Sequence, residues 1–165
     1  MSSHTIRRAA FGDEQGIHSA HMSSVQEVCC NDYNEAQINA WGRREFNLES
    51  RRRSIEASNV WVVEVDCKIE GYAQLDIRDS SAYISGLYIT KKLLSRGIGR
   101  ELLSTMTNFC SSMKVRKVTL NSTITSKSFY ERNGFKVTGP MENGAIGGVP
   151  IEDYPMELSL SSRKK

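Results

Sequence analysis

Two glycines stand one residue apart directly ahead of a run that reads as an amphipathic helix. They are Gly97 and Gly99, within the stretch KKLLSRGIGRELL at residues 91–103. Glycine is a poor helix former, so helix stability alone does not explain them. A helix start carries free N–H groups and a partial positive charge that bind phosphate, and a bare backbone lets the phosphate approach. The spacing therefore indicates a phosphate-binding loop; the alternative is that the glycines only turn the chain.

Two common nucleotide-binding motifs do not fit this stretch. A dinucleotide fingerprint needs a third glycine at the position of Leu102 and an acidic residue about twenty positions further on. Residues 119–121 read TLN and contain no acid. A P-loop needs Gly-Lys-Ser/Thr after the glycines, where Arg100 and Glu101 follow. Both motifs are excluded.

The glycine loop is similar to the acetyl-CoA signature of the GNAT N-acetyltransferases. That signature runs Val-x-Pro and then Gln/Arg-x-x-Gly-x-Gly/Ala, and it resembles LYITKKLLSRGIGRELL at residues 87–103. Ile89 takes the valine place, and Gly97 and Gly99 take the glycine places. A second feature of the family, an aromatic-Tyr pair followed by Gly-Phe, resembles SFYERNGF at residues 128–135. Since both motifs occur in the family's order, the resemblance covers essentially the whole chain.

This resemblance implies an acyltransferase that uses acetyl-CoA as co-substrate and needs no metal. Backbone N–H groups of residues 95–100 would hold the phosphates, and the strand end at residues 87–89 would hold the pantetheine and polarise the thioester carbonyl. Arg96 and Arg100 either add charge near the phosphates or are solvated helix-mouth arginines. The residues predicted to bind the cofactor are Leu87, Tyr88, Ile89, Ser95, Arg96, Gly97, Ile98, Gly99, Arg100 and Asn121.

Three residues depart from the family pattern. Lys91 stands where the family often has proline, Leu94 where it has Gln or Arg, and Ser95 replaces a common glycine. Because the implied phosphate contacts come mainly from backbone N–H groups, we expect these departures to affect the affinity for the cofactor more than its identity.

Acetyl transfer to an amine needs a neutral amine, a stabilised oxyanion and a proton for the departing sulfur. In the family the acid is a tyrosine at the position of Tyr130, which implies that Tyr130 is catalytic; the alternative is a core aromatic beside Phe129. An alkylamine with a pKa of about 10.4 is mostly protonated at pH 7, but the sequence identifies no general base. The candidates for that base are Asp76, Asp79, His18 and His21.

The acceptor site of the family lies between the N-terminal helices and the loop that joins the last two strands. In the helices, Tyr33 and Trp41 either wall the acceptor or pack in the core. Charged partners for a cationic amine are offered by Glu27, Asp32 and Glu35. Since no long acidic tract is present to attract a basic protein tail, we predict a small-molecule primary amine as acceptor, with a peptide amine as the main rival.

A different class of function is a non-catalytic acyl-CoA-binding or regulatory module that keeps the fold without transferase activity. An intact Tyr130, followed by Gly134 and Phe135, favours the enzyme. No feature of the sequence favours a purely structural protein.

The elements that must position these residues follow from the hydrophobic periodicity. Residues 65–68 predict a tight turn in a hairpin, Gly86 a bulge, and Gly134 the end of a short helix. The predicted strands are residues 5–9, 60–65, 68–77, 82–89, 116–121, 135–139 and 154–160. Four helices are predicted. The first begins after Asp13, and the second spans residues 34–46 with Ile38, Trp41 and Glu45 on one side. The third carries the stripe Ile98, Leu102, Met106, Phe109 or Cys110, and Met113, and the fourth spans residues 125–134.

Two further segments connect or flank these elements. Residues 142–148, ENGAIGG, are predicted to be a flexible hairpin connection, and Arg51, Arg52 and Arg53 to form a solvated helix face. Short hairpin connections argue against an all-parallel sheet. We therefore expect an α/β (α+β) fold whose mixed sheet has about six to seven strands flanked by helices. The resemblance implies that it is a single GNAT-like domain over residues 4–163, with strands splayed at the acetyl-CoA site.

Composition sets the remaining limits. The chain of 165 residues has 39% apolar and 25% charged residues, as is typical of one soluble domain. Its net charge of +3 is too slight to indicate nucleic acid. We find no signal peptide or membrane span, and the four cysteines form no CxxC pair. These features predict a cytoplasmic protein with reduced thiols, a monomer or homodimer, without a nucleic-acid or membrane partner.

Overall fold

The computed structural model describes residues 3–161. The predicted domain at residues 4–163 thus ends outside the described residues, and its boundaries stay a prediction. None of the helices in this described part is long and apolar enough to span a membrane.

Within residues 3–161 the chain forms eight strands and five α-helices. In chain order they are β1 (His4–Arg8), α1 (Glu14–Val28), α2 (Glu35–Gly42), α3 (Leu48–Ala57), β2 (Asn59–Val65), β3 (Lys68–Arg78), β4 (Ser81–Ile89), α4 (Ile98–Ser112), β5 (Lys117–Thr123), α5 (Lys127–Arg132), β6 (Lys136–Val137), β7 (Glu142–Ile146) and β8 (Val149–Ser159). Short 3-10 turns lie at Cys29–Asn31 and Lys91–Leu93.

All strands belong to one sheet with the order β1-β2-β3-β4-β5-β8-β6, and β7 pairs with the first half of β8. Only β4 and β5 are parallel; the other neighbours are antiparallel. The mixed α/β fold is therefore confirmed. This arrangement places β4, β5 and the helices that follow them in the middle of the molecule, where the glycine loop and Tyr130 lie.

The sheet has eight strands, so the expected six to seven was too few. The extra strand is β7, which the sequence predicted to be a flexible connection. Gly147 and Gly148 adopt φ values of +57° and +77°, which suit a tight two-residue hairpin turn. Because that turn is so short, the residues before it pair directly with β8.

Both faces of the sheet are covered, and β2 shows how. Successive side chains of a strand point to opposite faces. Trp61 and Val63 join the core cluster of α4, whereas Val60 and Val62 join Ile17 of α1 on the other face. The continuous apolar run of β2 is thus explained by burial on both sides.

On the first face, α4 is anchored by side chains at helical spacing. Ile98, Leu102, Met106 and Cys110 are at most 1% exposed, as their i, i+4 spacing predicts. Met113 does not continue the stripe: it lies beyond the end of the helix and is exposed.

The helix α2 is shorter than predicted and ends at Gly42, so Glu45 lies outside it and is exposed. A Cβ on Gly42 would lie 3.0 Å from side-chain atoms of Val25 and Gln26, because α1 and α2 pack closely there. The Gln26 side-chain amide also donates to the Gly42 carbonyl. This bond takes up a helix-end carbonyl that a longer helix would use.

Candidate active site

The cavity of interest opens where β4 and β5 separate. The two strands pair only through residues 81–84 and 117–120. Directly afterwards, Gln74 of β3 pairs with Gly86 and Leu75 with Ile84, so Ser85 is an extra residue in β4. Such a bulge bends the strand that contains it, and the predicted irregularity at Gly86 is confirmed to within one residue. The strands enclose a cavity of about 760 Å³.

Most of the predicted cofactor residues line this cavity. They are Leu87, Tyr88, Ile89, Ser95, Gly97, Gly99, Arg100 and Asn121, and Tyr130 lines it with them. Arg96 and Ile98 are not among the lining residues. Because the side chain of Ile98 is 1% exposed and packs in the core, only its backbone can serve a ligand. Whether any of these residues binds acetyl-CoA stays a prediction.

In the loop ahead of α4, the backbone conformation favours glycine at position 97 but not at position 99. Gly97 is the N-cap residue with a φ of +77°, and no side chain caps the helix start. A Cβ on Gly99 would meet Ile89 and Phe129 at 3.6 Å, an ordinary contact, so packing does not require glycine there. Ser95 has a φ of +59°, where a side chain costs about 1–2 kcal/mol. The first N–H groups of α4 thus have no side-chain acceptor in the described chain.

Positive charge surrounds this end of the cavity. The start of a helix carries roughly half a positive charge, which favours an anion. Arg100 of α4 and Arg132 of α5 also line the cavity. Arg132 and its neighbour Asn133 were not predicted from the sequence, although they stand two and three residues after Tyr130 in the second motif. The cavity therefore offers backbone and side-chain donors to phosphate groups.

Tyr130 lies on α5, which Gly134 closes with a φ of +90°, as predicted. Its ring is 4% exposed and packs against Phe129 and Phe135, with centroids 5.1 and 5.4 Å away. Among the described residues, every fully buried side-chain oxygen has a hydrogen-bond partner. The Tyr130 hydroxyl has no partner there, so its oxygen is not fully buried. The hydroxyl is therefore open to the cavity. Burial, and to a smaller extent the nearby Tyr83, raises the pKa of Tyr130 well above its ordinary value.

The predicted acceptor walls are buried instead of lining the cavity. Tyr33 and Trp41 are 5% and 4% exposed and pack on each other, with ring centroids 5.5 Å apart. The Tyr33 hydroxyl donates to the Glu152 carbonyl (2.7 Å) and accepts from the Ile124 N–H (2.9 Å). Trp41 packs against Tyr88, which lines the cavity, with ring centroids 6.2 Å apart. Their role at the acceptor site stays a prediction.

Other residues occupy the helix side of the cavity. Ser24 and Val28 of α1 and the following Cys29 line it there. Burial raises the pKa of the Cys29 thiol to about 11, so this thiol is not a thiolate at neutral pH. No sequence motif marks these residues, because their place depends on how α1 docks on the sheet.

None of the candidate bases lines the cavity. Within the described residues its lining contains no Asp, Glu or His. Asp76 accepts a 2.5 Å hydrogen bond from Ser58. It lines a smaller neighbouring depression, which shares Tyr83 with the cavity. At the rim, the Asn121 amide donates to Asp153 (2.9 Å) and Glu142 (3.3 Å). A general base in direct contact with a bound amine is therefore not found among the predicted residues.

His21 is held in a buried polar network behind Tyr88. Its Nδ1 lies 3.1 Å from the Tyr72 hydroxyl and 3.2 Å from Nη2 of Arg51. Burial first, and then the charges of Arg44 and Arg51, holds the pKa of His21 well below its ordinary value. The imidazole is therefore neutral at neutral pH.

The predicted solvated helix face is confirmed for Arg52 and Arg53 of α3, whose side chains are 52% and 70% exposed, and is wrong for Arg51. Arg51 turns inward to His18 and His21, and Nε of Arg52 lies 3.0 Å from a carboxylate oxygen of the buried Glu14. Arg53 instead forms an ion pair with the exposed Glu49 on the same helix. The inward contacts arise because α3 docks beside α1.

The sequence is similar to those of known acetyltransferases. The family model described as "Acetyltransferase (GNAT) domain" matches residues 29–160. A curated relative, "Uncharacterized N-acetyltransferase YafP" of Escherichia coli (strain K12), is 28% identical over 137 residues. That match covers 82% of this chain and 83% of the relative.

Solved structures share the fold. A GCN5-related N-acetyltransferase from Rhodopseudomonas palustris superposes with a TM-score of 0.86 at 17% identity, covering 97% of this chain and 98% of that one. The PaiA N-acetyltransferase of Thermoplasma acidophilum, solved in complex with coenzyme A, gives a TM-score of 0.77 at 22% identity. It covers 96% of this chain and 99% of its own.

Proposed function

This chain belongs to the GNAT acetyltransferases, and we propose that within this family it acetylates the primary amine of a small molecule, with Tyr130 as the general acid. The family establishes an acyltransferase enzyme that uses acetyl-CoA. The acceptor, the acid and the residues that bind the cofactor are the proposal.

The observation that carries the proposal is the meeting of both sequence motifs in one cavity. Gly97 and Gly99 from the first motif and Tyr130 from the second line the same space, although about thirty residues separate them in the chain. The loop proposed to bind phosphate and the proposed proton donor therefore line one cavity, which a single ligand could occupy. This supports an active enzyme over a module that only binds acyl-CoA.

The donor would lie along the separated strands. The N–H groups of residues 95–100 and the start of α4 suit the pyrophosphate, with Arg100 as an added charge. Residues 87–89 no longer pair with β5, so their backbone is free on that side to hold pantetheine and polarise the thioester carbonyl. The PaiA enzyme, which has the same fold, was solved with coenzyme A bound.

The reaction forms one bond and breaks one. The neutral amine nitrogen attacks the carbonyl carbon, the carbon–sulfur bond breaks, and the proton lost by the nitrogen is balanced by one gained by the sulfur. Because burial raises the pKa of Tyr130 while a thiol has a pKa of about 8.5, its hydroxyl serves best as a hydrogen-bond donor to the departing sulfur. Full transfer of the tyrosine proton is uphill, and solvent can replace it afterwards.

The acceptor is proposed to react as the free amine. The cavity lining offers neutral groups at its acceptor end, among them Tyr83, Ser85 and Ser24. For an alkylamine, deprotonation at pH 7 costs roughly 4–5 kcal/mol, so a fraction of the acceptor enters without its extra proton. The carboxylates outside the lining, such as Asp76 and Asp153, lie where they can attract the cationic form to the mouth.

A small acceptor is supported by the size of the site. The cavity of about 760 Å³ has to hold the reactive end of acetyl-CoA as well as the acceptor. Asp32, one of the predicted partners, already accepts a 2.7 Å hydrogen bond from Thr125. A peptide amine stays the main rival, and the cytoplasmic location and the monomeric or dimeric state stay predictions.

The test is a thiol-release assay with acetyl-CoA, with products identified by mass spectrometry. Small primary amines, amino acids and unmodified peptides are compared at equal concentration. We expect acetylated product from at least one small amine, with little from peptides. Activity confined to protein N-termini or lysines would refute the small-molecule acceptor.

A further inference from the structure

Glu70 of β3 is a buried acid beside the start of the cofactor loop. Its side chain is 5% exposed, and acidic side chains are almost never so buried unless they are paired. Thr90 donates to one carboxylate oxygen from its hydroxyl (2.8 Å), and Lys92 donates to the other (3.2 Å). Lys68 lies 3.8 Å away. The carboxylate therefore has partners from both its own strand and the loop.

The backbone repeats the same connection. The Thr90 N–H donates to the Glu70 carbonyl at 2.9 Å, one residue beyond the last paired residues of β3 and β4. Glu70 thus holds Thr90 by two hydrogen bonds, one from the backbone and one from the side chain. Both contacts lie within the described residues and outside the cavity lining.

Thr90 stands at the point where β4 ends and the loop begins. It precedes the 3-10 turn Lys91–Leu93, and Leu93 is fully buried in the core. After that point the chain comes out: Leu94 is 39% exposed, and residues 95 and 97 have positive φ values. Thr90 and Leu93 are therefore the two fixed points from which the loop departs.

We propose that Glu70 is a positioning residue for the cofactor loop, acting through Thr90 and Lys92. A binding loop that is held in its bound shape before the ligand arrives loses less conformational freedom on binding. Glu70 fixes where residues 95–100 leave the sheet, and hence where their N–H groups meet the pyrophosphate. This inference rests on the proposed use of that loop for acetyl-CoA.

The prediction separates positioning from a general structural role by the choice of donor. Glu70→Gln and Thr90→Val should each raise the KM for acetyl-CoA about tenfold, the effect of losing a hydrogen bond to a charged group. Their kcat should stay within about twofold of the wild type, as for a loss of uniform binding. Kinetics with S-acetylpantetheine, which has no pyrophosphate, should not change. A merely structural defect would alter both donors alike.

Two matched variants serve as controls. Thr90→Ser keeps the hydroxyl and should restore the wild-type KM. Glu64→Gln removes a carboxylate of β2 whose ion-pair partner is Arg7 of β1 and not a loop residue, and it should leave both donors unaffected. Thermal unfolding is measured for every variant, and Thr90→Val, which removes a single hydroxyl, decides the matter if Glu70→Gln does not fold.

The result that overturns the proposal is an unchanged KM for acetyl-CoA in folded Thr90→Val, or an equal change for both donors. If the wild-type protein binds coenzyme A in calorimetry but shows no turnover, the proposed function fails, and the coenzyme A affinities of the same variants test the role of Glu70. If the wild type does not bind coenzyme A, both fail.

Discussion

Tyr130 is a tyrosine whose surroundings favour its protonated form. It is packed between two phenylalanines, yet its hydroxyl opens to the cavity, and burial raises its pKa. With a raised pKa, the phenol gives up its proton less readily than a tyrosine in water, but its O–H remains a hydrogen-bond donor held in one place. Such a donor is most useful where negative charge develops in the transition state.

Tyr130→Phe should therefore slow acetyl transfer without lowering the affinity for acetyl-CoA. Loss of a general acid typically lowers the rate 10²–10⁴-fold, while phenylalanine fills the same ring space, so the unfolding temperature should stay close to that of the wild type. Steady-state kinetics with the best acceptor measure kcat, and calorimetry measures affinity. Tyr154→Phe, which removes a phenol from outside the cavity lining, is the matched control. A rate within about threefold of the wild type would mean that Tyr130 only packs.

His21 is a second residue whose charge state is set by its surroundings. Its pKa lies well below the ordinary 6.5, because of burial and the nearby Arg44 and Arg51. In the window below about pH 6.5 the unfolded chain binds a proton that the folded chain does not. Stability from this residue is therefore fully present above that pH and is lost as the pH falls.

His21→Asn should flatten that dependence. Asparagine keeps a polar atom near the place of Nδ1 but does not titrate. Between pH 6.5 and 5, the free energy of unfolding of the variant should therefore fall less steeply than that of the wild type, by up to about 1.4 kcal/mol per pH unit. Denaturant unfolding at a series of pH values measures the slope. Equal slopes in both proteins would show that His21 titrates normally in the fold.

Among the elements, the turn from β4 into α4 has an unusual backbone. Positive φ angles at Ser95 and Gly97 bring the chain into α4 with its first N–H groups uncapped by a side chain. Gly97 lies in the left-handed region, where a larger residue is strained, and glycine itself supplies no capping side chain. The uncapped start is consistent with N–H groups that are reserved for a ligand.

Gly99→Ala tests this element, because it should raise stability and lower affinity together. Alanine is the better helix former by up to about 1 kcal/mol, and its Cβ would meet only ordinary contacts at 3.6 Å. The proposal puts the phosphates against this stretch of backbone, where an added methyl group takes up room, so coenzyme A should bind at least about tenfold more weakly. Ser104→Ala, on the exposed side of α4, should improve the helix and leave affinity unchanged. Unaltered binding by Gly99→Ala would place the phosphates elsewhere.

Local patterns predicted most elements but not their ends. Alternation predicted β3 and β4, and helical spacing predicted α4 and α5. The strand β7 was missed because glycines indicate a flexible loop as readily as a tight turn. The end of α2 depends on close packing with α1 at Gly42, which lies sixteen residues from Gln26 in the chain.

For the molecule as a whole, the sequence predicted the cavity better than its acceptor side. The two motifs carry the cofactor loop and Tyr130, and both line the cavity. Tyr33 and Trp41 were ambiguous, since an aromatic residue at helical spacing either packs or walls a site, and the fold buries both. The inward turn of Arg51 and the burial of Glu70 depend on elements that cover both faces of the sheet, which no local pattern contains.

The loop at residues 95–100 is proposed to hold the cofactor in the cavity between β4 and β5. A calorimetric titration of coenzyme A into wild type and Gly97→Val tests this, with Gly12→Val as control. Both glycines have positive φ and nothing within 4 Å of an added Cβ, so both variants carry backbone strain without a side-chain clash. We expect binding by the wild type and the Gly12 variant, and none by folded Gly97→Val. Equal affinity for coenzyme A in Gly97→Val would show that the phosphates do not bind at this loop.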